Sequence, residues 1–252
     1  MKILVTGGAG FIGQRIVRHL QEKNHDVAVI GRSTKPEDES ICFHRIDIAR
    51  ERVPDEVCQG VDAIFHVAAK AGIWGSSVSY ESANVFGTRR ILDLCRKHDI
   101  RYLIHTSTPS VVFTGQPFRG ENEGLPYGGN WLCHYARTKA IAEREVLAAN
   151  EIDNLKTIAL RPHLVWGPGD PHLIPKVVSK ARAGKLRMVG DGSNQVDLTH
   201  VDNAAHAHLL ALDALASGDH PGGKAYFISQ GKPIAFLGSR HQNAPRKSSD
   251  AL

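Results

Sequence analysis

The stretch from Met1 to Leu20, MKILVTGGAGFIGQRIVRHL, leaves a chain few folds to choose from. Ile3, Leu4 and Val5 form a short apolar run rich in branched residues, the pattern of a strand buried on both faces of a parallel sheet. Gly7, Gly8, Gly10 and Gly13 follow at once, and Phe11, Ile12, Ile16, Val17 and Leu20 then recur at helical spacing. A strand that turns through glycines straight into a helix lets backbone approach a pyrophosphate without a Cβ in the way. The helix N-terminus then offers N–H groups and partial positive charge. A dinucleotide-binding turn is expected at Gly7, Gly8, Gly10, Phe11, Ile12 and Gly13.

Further along, Val27 to Ile30 reads as the second strand of a βαβ unit. Units that bind NAD usually place an acid at the end of this strand for the adenine ribose. Here the position holds Gly31, followed by Arg32. The missing carboxylate removes repulsion toward a 2′-phosphate, and a guanidinium pairs with that phosphate, so NADP(H) is preferred over NAD(H). Cys42 to Ile48 reads as a strand ending at Asp47, which either accepts from the adenine amino group or forms a turn, with Ile48 beside it. Residues 50–58 read as a short helix. Asp62 to Ala69 is a buried strand that brings Ala68 and Ala69 to the cofactor, and the loop after it, with Trp74, lines the substrate.

From Tyr80 to His98 the pattern is helical, with Asn84 facing the sheet end. Arg101 to Thr106 is the fifth strand and runs into Ser107, Thr108, Pro109 and Ser110. Residues 116–131 read as a loop over the site. HYARTKAIAEREVLAA, residues 134–149, is a helix, and Thr157 to Arg161 is a strand that ends at Pro162, placed at the cofactor. The repeated alternation implies an α/β fold, a doubly wound parallel sheet with helices on both faces. Beyond it come a helix at Pro175 to Ala183, a strand at Leu186 to Val189, a turn at GDGSN, a helix at Val201 to Ala216 and a strand at Ala225 to Ser229.

Composition narrows the function classes. The net charge of +5 is mild, and no basic run is interleaved with aromatics, which argues against a nucleic-acid partner. The four cysteines are far apart and form no CxxC pair, as suits a reducing cytoplasm with neither disulfides nor zinc. His206 and His208 fall on different helix faces, so no metal site is expected. No apolar stretch is long enough for a transmembrane segment.

Tyr135 and Lys139 stand four apart on a helix and share a face. A phenol ionises near pH 10, and a nearby ammonium and an oxidised nicotinamide would lower that value. Tyr135 is then suited to give a proton to an alkoxide forming on a ketone, or to take one from an alcohol. Thr108 or Ser107 would hydrogen-bond the same substrate oxygen, and Lys139 would bridge the nicotinamide ribose hydroxyls.

TGGAGFIG, HTSTPSVVF, YARTK and RPHLVWGPGD together resemble the extended short-chain dehydrogenase/reductases, in their 3β-hydroxysteroid dehydrogenase-like branch. AAKAGIWGS, ANVFGT, TSTPSV, YARTKAIAE, LRPHLVWGPGD and LRMVGDGSN are similar to the 2-alkyl-3-oxoalkanoate reductases of bacterial long-chain olefin biosynthesis. The resemblance runs from residue 1 to about residue 232. It implies a Rossmann-type sheet and NADPH-dependent reduction of a long-chain β-keto acid with a 2-alkyl branch. Tyr135 is the acid–base residue, Lys139 its partner, and Thr108, with Ser107 beside it, the supporting hydroxyl. Absence of an acid at Gly31 fits NADPH; an NAD-dependent 3β-hydroxysteroid or sterol dehydrogenase would sit better with one. The resemblance also implies a homodimer through residues 80–98 and 132–149, and a place beside other olefin-pathway enzymes.

On this reading residues 1–165 form the cofactor domain, with a strand at 225–229 returning to its sheet, and residues 166–233 form a partial substrate lobe. The tail from Ile234 has little apolar periodicity and is expected to be disordered. Members of the family continue several dozen residues further, so the expectation is a truncated or frame-shifted product. Its lobe would lack closing helices, and a cofactor-binding fragment with impaired catalysis is the alternative.

Overall fold

A computed structural model of the chain describes residues 1–32, 35–36, 38–72, 74–129, 131–171, 173–185 and 193–235. Strands and helices alternate as β1 (Lys2–Thr6), α1 (Phe11–Glu22), β2 (Asp26–Gly31), β3 (Cys42–Arg45), α2 (Asp55–Cys58), β4 (Ala63–His66), α3 (Ser77–Tyr80), α4 (Gly87–Lys97), β5 (Tyr102–Thr106), α5 (His134–Ala148) and β6 (Lys156–Pro162). There follow β7 (Val165–Trp166), α6 (Leu173–Arg182), β8 (Gln195–Val196), β9 (Thr199–His200), α7 (Val201–Ser217), β10 (Lys224–Ile228) and β11 (Ile234–Ala235).

Seven strands form one parallel sheet in the order β10–β6–β5–β4–β1–β2–β3. The strand order reverses between β1 and β4. Their loops therefore leave in opposite directions and open a crevice at the carboxyl ends of the strands. Side chains alternate across the sheet. Leu4, Ala28, Ile30, Ile64 and Leu103 meet Ile91 and Leu92 of α4 and Val146 of α5. Ile3, Val5, Val27, Val29, Phe65 and Ile104 meet Ile16, Val17 and Leu20 of α1 and Leu209, Leu212 and Leu215 of α7. Burial on both faces is why these strands read as continuous apolar runs.

The packing redraws several expected boundaries. α7 lies in the same core as α1, so it belongs to the sheet layer and not to a lobe beginning at residue 166, while β10 returns to the sheet and pairs in parallel with β6 from Lys224↔Ile158 to Ile228↔Pro162. What stands apart is small: β7 pairs in parallel with β9, and β8 antiparallel with β11. Ile234 and Ala235 are thus paired backbone, not the start of a disordered tail; the rest of that tail, 236–252, and the strand expected at 186–189 lie outside the described residues. β3 stops at Arg45, short of Asp47. The helix expected over 50–58 contracts to Asp55–Cys58, because Pro54 takes the N-cap position. The helix before β5 starts early, at Ser77, and passes through a wider π turn at Glu81–Phe86 that carries Asn84.

Candidate active site

The turn after β1 closes as its glycines require. Gly7 adopts φ +71, and a Cβ there would stand 2.9 Å from the Ala68 backbone nitrogen. A Cβ on Gly13 would fall 2.1 Å from the Gly7 carbonyl oxygen, so a side chain would push α1 off the turn. Gly10 caps α1 with no side chain bonding its first turn, which leaves that end as an anion seat. A cleft of about 400 Å³ opens over it, lined among others by Gly7, Gly10, Phe11, Ile12, Gly13, Arg32, Asp47, Ile48, Ala68 and Ala69. A dinucleotide fits this construction. The cleft crosses the crevice between β1 and β4, a Cβ-free turn and an open helix end form its floor, and the arginine stands at its β2 end.

Two expected cofactor residues, Gly8 and Pro162, fall outside the cleft lining. Gly8 is buried against Val29 and does not line the cleft. Pro162 pairs with Ile228 at the β6 end and lies outside the lining. Asp47 lines the cleft from a turn, with Oδ1 accepting from the Ala49 N–H at 3.0 Å and its carbonyl from Arg50 at 2.8 Å, so one carboxylate oxygen already serves the turn. Arg45, unremarked in the sequence, pairs with Gly31 across β2 and β3 and donates from Nε to the Arg32 carbonyl at 3.2 Å. Only strand register brings these two arginines together.

The catalytic candidates sit one strand along, at the ends of β5 and α5, beyond the residues that line the cleft. The Thr108 hydroxyl donates to Ser110 Oγ at 3.2 Å and lies near enough to the Tyr135 phenol to act on its acidity. Burial pushes the phenol above its ordinary value, and the Thr108 contact opposes that rise. Thr108 also caps the 3₁₀ turn Pro109–Val112, accepting from the Ser110 N–H at 3.3 Å, which fixes its hydroxyl. Ser107 donates its backbone N–H to Leu160 at 2.6 Å, and its buried hydroxyl has no protein partner among the described residues. Trp74 is 86% exposed.

Lys139 is where expectation and structure part. Its Nζ is buried and donates to the Thr106 carbonyl at 2.7 Å and meets His105 Nε2 at 3.0 Å. Burial lowers it to about 7. The Tyr135 phenol itself is moved up, by its burial first of all.

Beneath these groups runs a buried polar belt that the sequence did not disclose. Ala68 N–H donates to Thr6 Oγ1 at 3.2 Å, and Thr6 stands 2.8 Å from His66 Nδ1. His66 Nε2 lies 2.9 Å from Thr88 Oγ1, whose proton goes to the Asn84 carbonyl at 2.7 Å. Proton order follows: His66 donates from Nε2 and accepts at Nδ1 from Thr6. Asn84 accepts from the Lys70 N–H at 2.7 Å and donates to the Lys70 carbonyl at 3.1 Å and to Thr138 Oγ1 at 3.0 Å. On the other face of the sheet His208 bonds Thr106 Oγ1 at 2.7 Å.

Burial holds His66 at about 3 and His208 at about 4, and, with Lys139 nearby, His105 well below its ordinary value. The unfolded chain protonates these rings near pH 6.5 while the folded chain does not, so it binds more protons in between. Stability is therefore full above about pH 6.5 and is lost as pH falls toward the folded values. Each ring contributes up to about 1.4 kcal/mol per pH unit. Urea unfolding at about pH 7 and about pH 5 should show a midpoint that drops steeply with acid. A flat profile would mean that the rings are charged or exposed in the folded chain.

Comparison with known proteins agrees with this construction. The chain is 51% identical over 238 residues to a 2-alkyl-3-oxoalkanoate reductase of Stenotrophomonas maltophilia, covering 93% of this chain and 72% of that protein. It is 42% identical to the Shewanella oneidensis enzyme of the same name, over 92% of this chain and 62% of that one. It is 36% identical to a decarboxylating sterol-4-alpha-carboxylate 3-dehydrogenase of Mus musculus, over 93% of this chain and 66% of that one. The chain thus spans roughly two thirds of the length of these relatives. Among solved structures, UDP-glucuronic acid 4-epimerase from Bacillus cereus with UDP-glucuronic acid and NAD superposes with TM-score 0.80 at 25% identity, covering 94% of this chain and 80% of that one. MoeE5 with UDP-glucuronic acid and NAD gives 0.79 at 29%, covering 93% and 78%. Since the 3-beta hydroxysteroid dehydrogenase/isomerase family model matches residues 4–238, this chain belongs to that family of extended short-chain dehydrogenase/reductases.

Proposed function

We propose that the chain is an NADP(H)-dependent reductase that converts a long-chain 2-alkyl-3-oxoalkanoate to the 2-alkyl-3-hydroxyalkanoate. The observation that carries this reading is the proximity of the Tyr135 phenol to the Thr108 hydroxyl, one helical turn from Lys139 and at the carboxyl edge beside the glycine-turn crevice. A nicotinamide cofactor, when bound, supplies the hydride. Gly7, Gly10 and Gly13 would hold its pyrophosphate and Arg32 the 2′-phosphate. Tyr135 gives its proton to the ketone oxygen, Thr108 hydrogen-bonds that same oxygen, and the alcohol leaves with both added hydrogens accounted for.

The names of the relatives bear on the substrate class. A 2-alkyl-3-oxoalkanoate and a sterol-4-carboxylate acted on at carbon 3 both carry their reacting oxygen one carbon from the carbon bearing the carboxylate. A β-oxo or β-hydroxy carboxylate is therefore the class, and 51% against 36% identity favours the acyl chain over the sterol. The same reading has the enzyme in the cytoplasm, two copies meeting across α4 and α5, and other olefin-pathway enzymes beside it. No helix among the described residues is long and apolar enough to cross a membrane.

The test is consumption of reduced cofactor by the full chain with a 2-alkyl-3-ketoacid, using NADPH and NADH in parallel. A charge-assisted bond is worth about 1.5–3 kcal/mol, so Arg32→Ala should raise the KM for NADPH about ten- to hundred-fold and leave that for NADH nearly unchanged. A wild-type preference for NADH would favour the sterol dehydrogenase alternative. Cofactor binding without turnover of any such acid would favour the binding fragment.

A further inference from the structure

Lys139 is held from below by two groups of β5. An ammonium has three N–H donors. Of these, one goes to the Thr106 carbonyl at 2.7 Å and one to His105 Nε2 at 3.0 Å. Accepting at Nε2 puts the ring proton of His105 on Nδ1, which is buried and has no partner among the described residues. A buried donor left unpaired costs stability, and an aliphatic residue at this β5 position would avoid that cost. The histidine therefore earns its place through Nε2 and not through packing.

The ring is also held in place. His66 and His105 face each other in register on β4 and β5, with ring centroids 5.2 Å apart. His66 is itself fixed at both nitrogens by Thr6 and Thr88. That line runs unbroken from the residue before the glycine turn to the ring beside the lysine. The ionisable groups around Lys139 are few: His105 and His66 from the sheet, Tyr135 and Glu143 from its own helix, and Arg161 of β6 beyond Glu143. α4 and the π turn before it contribute the uncharged Thr88 and Asn84 to this belt, while their charged Arg89 and Glu81 pair with Glu145 and Arg137 elsewhere on α5.

We propose that His105 is a positioning residue for Lys139: with the Thr106 carbonyl it takes two of the ammonium's three protons and leaves the third as the only donor free for the cofactor ribose. The proposal rests on the reductase reading for the role of Lys139, but not for the contact itself. It concerns how the lysine is oriented and kept protonated, whatever ketone is reduced.

Two variants and two readouts test it. His105→Leu removes the acceptor; His105→Gln returns one, since its Oε1 can stand near the place of Nε2. The first readout is the titration of Lys139 by NMR in the cofactor-free full chain, with lysine labelled at Cε and the signal assigned by Lys139→Arg. The wild-type midpoint is expected at about 7. In His105→Leu the ammonium loses an acceptor in a buried site, so the midpoint should fall by about one unit, and His105→Gln should bring it back. The second readout is turnover: kcat should fall about ten-fold in His105→Leu, with a smaller change in the KM for NADPH, and recover in His105→Gln.

An unmoved midpoint in His105→Leu overturns the proposal, as does a Gln variant no better than the Leu variant. If the Leu variant does not fold, the Gln variant decides: a wild-type midpoint and kcat support positioning, and loss of both overturns it. If no form of the chain reduces the ketoacid while the midpoint still shifts as stated, the substrate reading fails and the assignment of His105 stands.

Discussion

Tyr135→Phe should lower kcat for ketone reduction by about 10²–10⁴-fold while leaving the Kd for NADPH within about two-fold. The ring that packs at the head of α5 is retained, so only the hydroxyl is lost. What goes with it is the proton delivered to the ketone oxygen and the interaction with the nearby Thr108 hydroxyl. The raised value of the phenol suits this direction. Burial keeps Tyr135 protonated at working pH, and an alkoxide is basic enough to take that proton all the same. Thr108 holds the phenol from the opposite direction and limits the rise. The measurement is single-turnover reduction in parallel with quenching of protein fluorescence by NADPH. Turnover near the wild-type rate in this variant would remove Tyr135 from the mechanism, and with it the reading of this site as a reductase.

Glu143→Ala should destabilise the fold by about 3–5 kcal/mol, far more than removing both members of its ion pair. Glu143 and Arg161 are 0% and 3% exposed, and the guanidinium grips the carboxylate at 2.5 and 3.0 Å through two nitrogens. Tyr127 donates to the same carboxylate at 2.7 Å, which ties the loop ahead of α5 to that helix and, through Arg161, to β6. Arg161 also lies near the rings of Tyr127 and Phe227, at 5.7 and 5.3 Å. Removing Glu143 alone leaves a buried cation with no counter-charge. Replacing both by Met and Leu leaves none, so Glu143→Met with Arg161→Leu should recover most of the loss. Urea midpoints of the single and double variants check this. Equal losses would mean that the pair acts by shape and not by charge. Glu143 also favours the charged form of Lys139 one turn earlier, so the single variant should lower the lysine's titration midpoint as well.

The two variants fall on opposite sides of what could be read from the chain. The Tyr135–Lys139 spacing is local: residues four apart on a helix share a face whatever surrounds them. The same holds for the glycine turn, where the need for a positive φ at Gly7 and for bare backbone at Gly13 is written in the residue type. Arg161 and Glu143 carry no such signal. They lie 18 apart on a strand and a helix, and only the fold makes them partners.

Errors in the expected boundaries have the same origin. Asp47 falls beyond β3 because its side chain and carbonyl both serve a turn, and apolar periodicity does not register that competition. α7 reads as part of a separate lobe because it follows a change of texture in the chain. In space α7 covers the face of the sheet that α1 leaves open, and β10 extends the edge beyond β6.

Lys139 marks the limit most clearly. The chain itself determined that a lysine stands one turn after a tyrosine, behind a nucleotide-type turn, on a parallel sheet. Tertiary structure alone decided what the lysine touches. Strand register sets His66 beside His105, and the packing of α5 lowers Nζ onto His105 and the Thr106 carbonyl. Faces of helices and strands follow from short-range periodicity, whereas the meeting of polar groups across a sheet depends on register and helix placement, which are summed over the whole core.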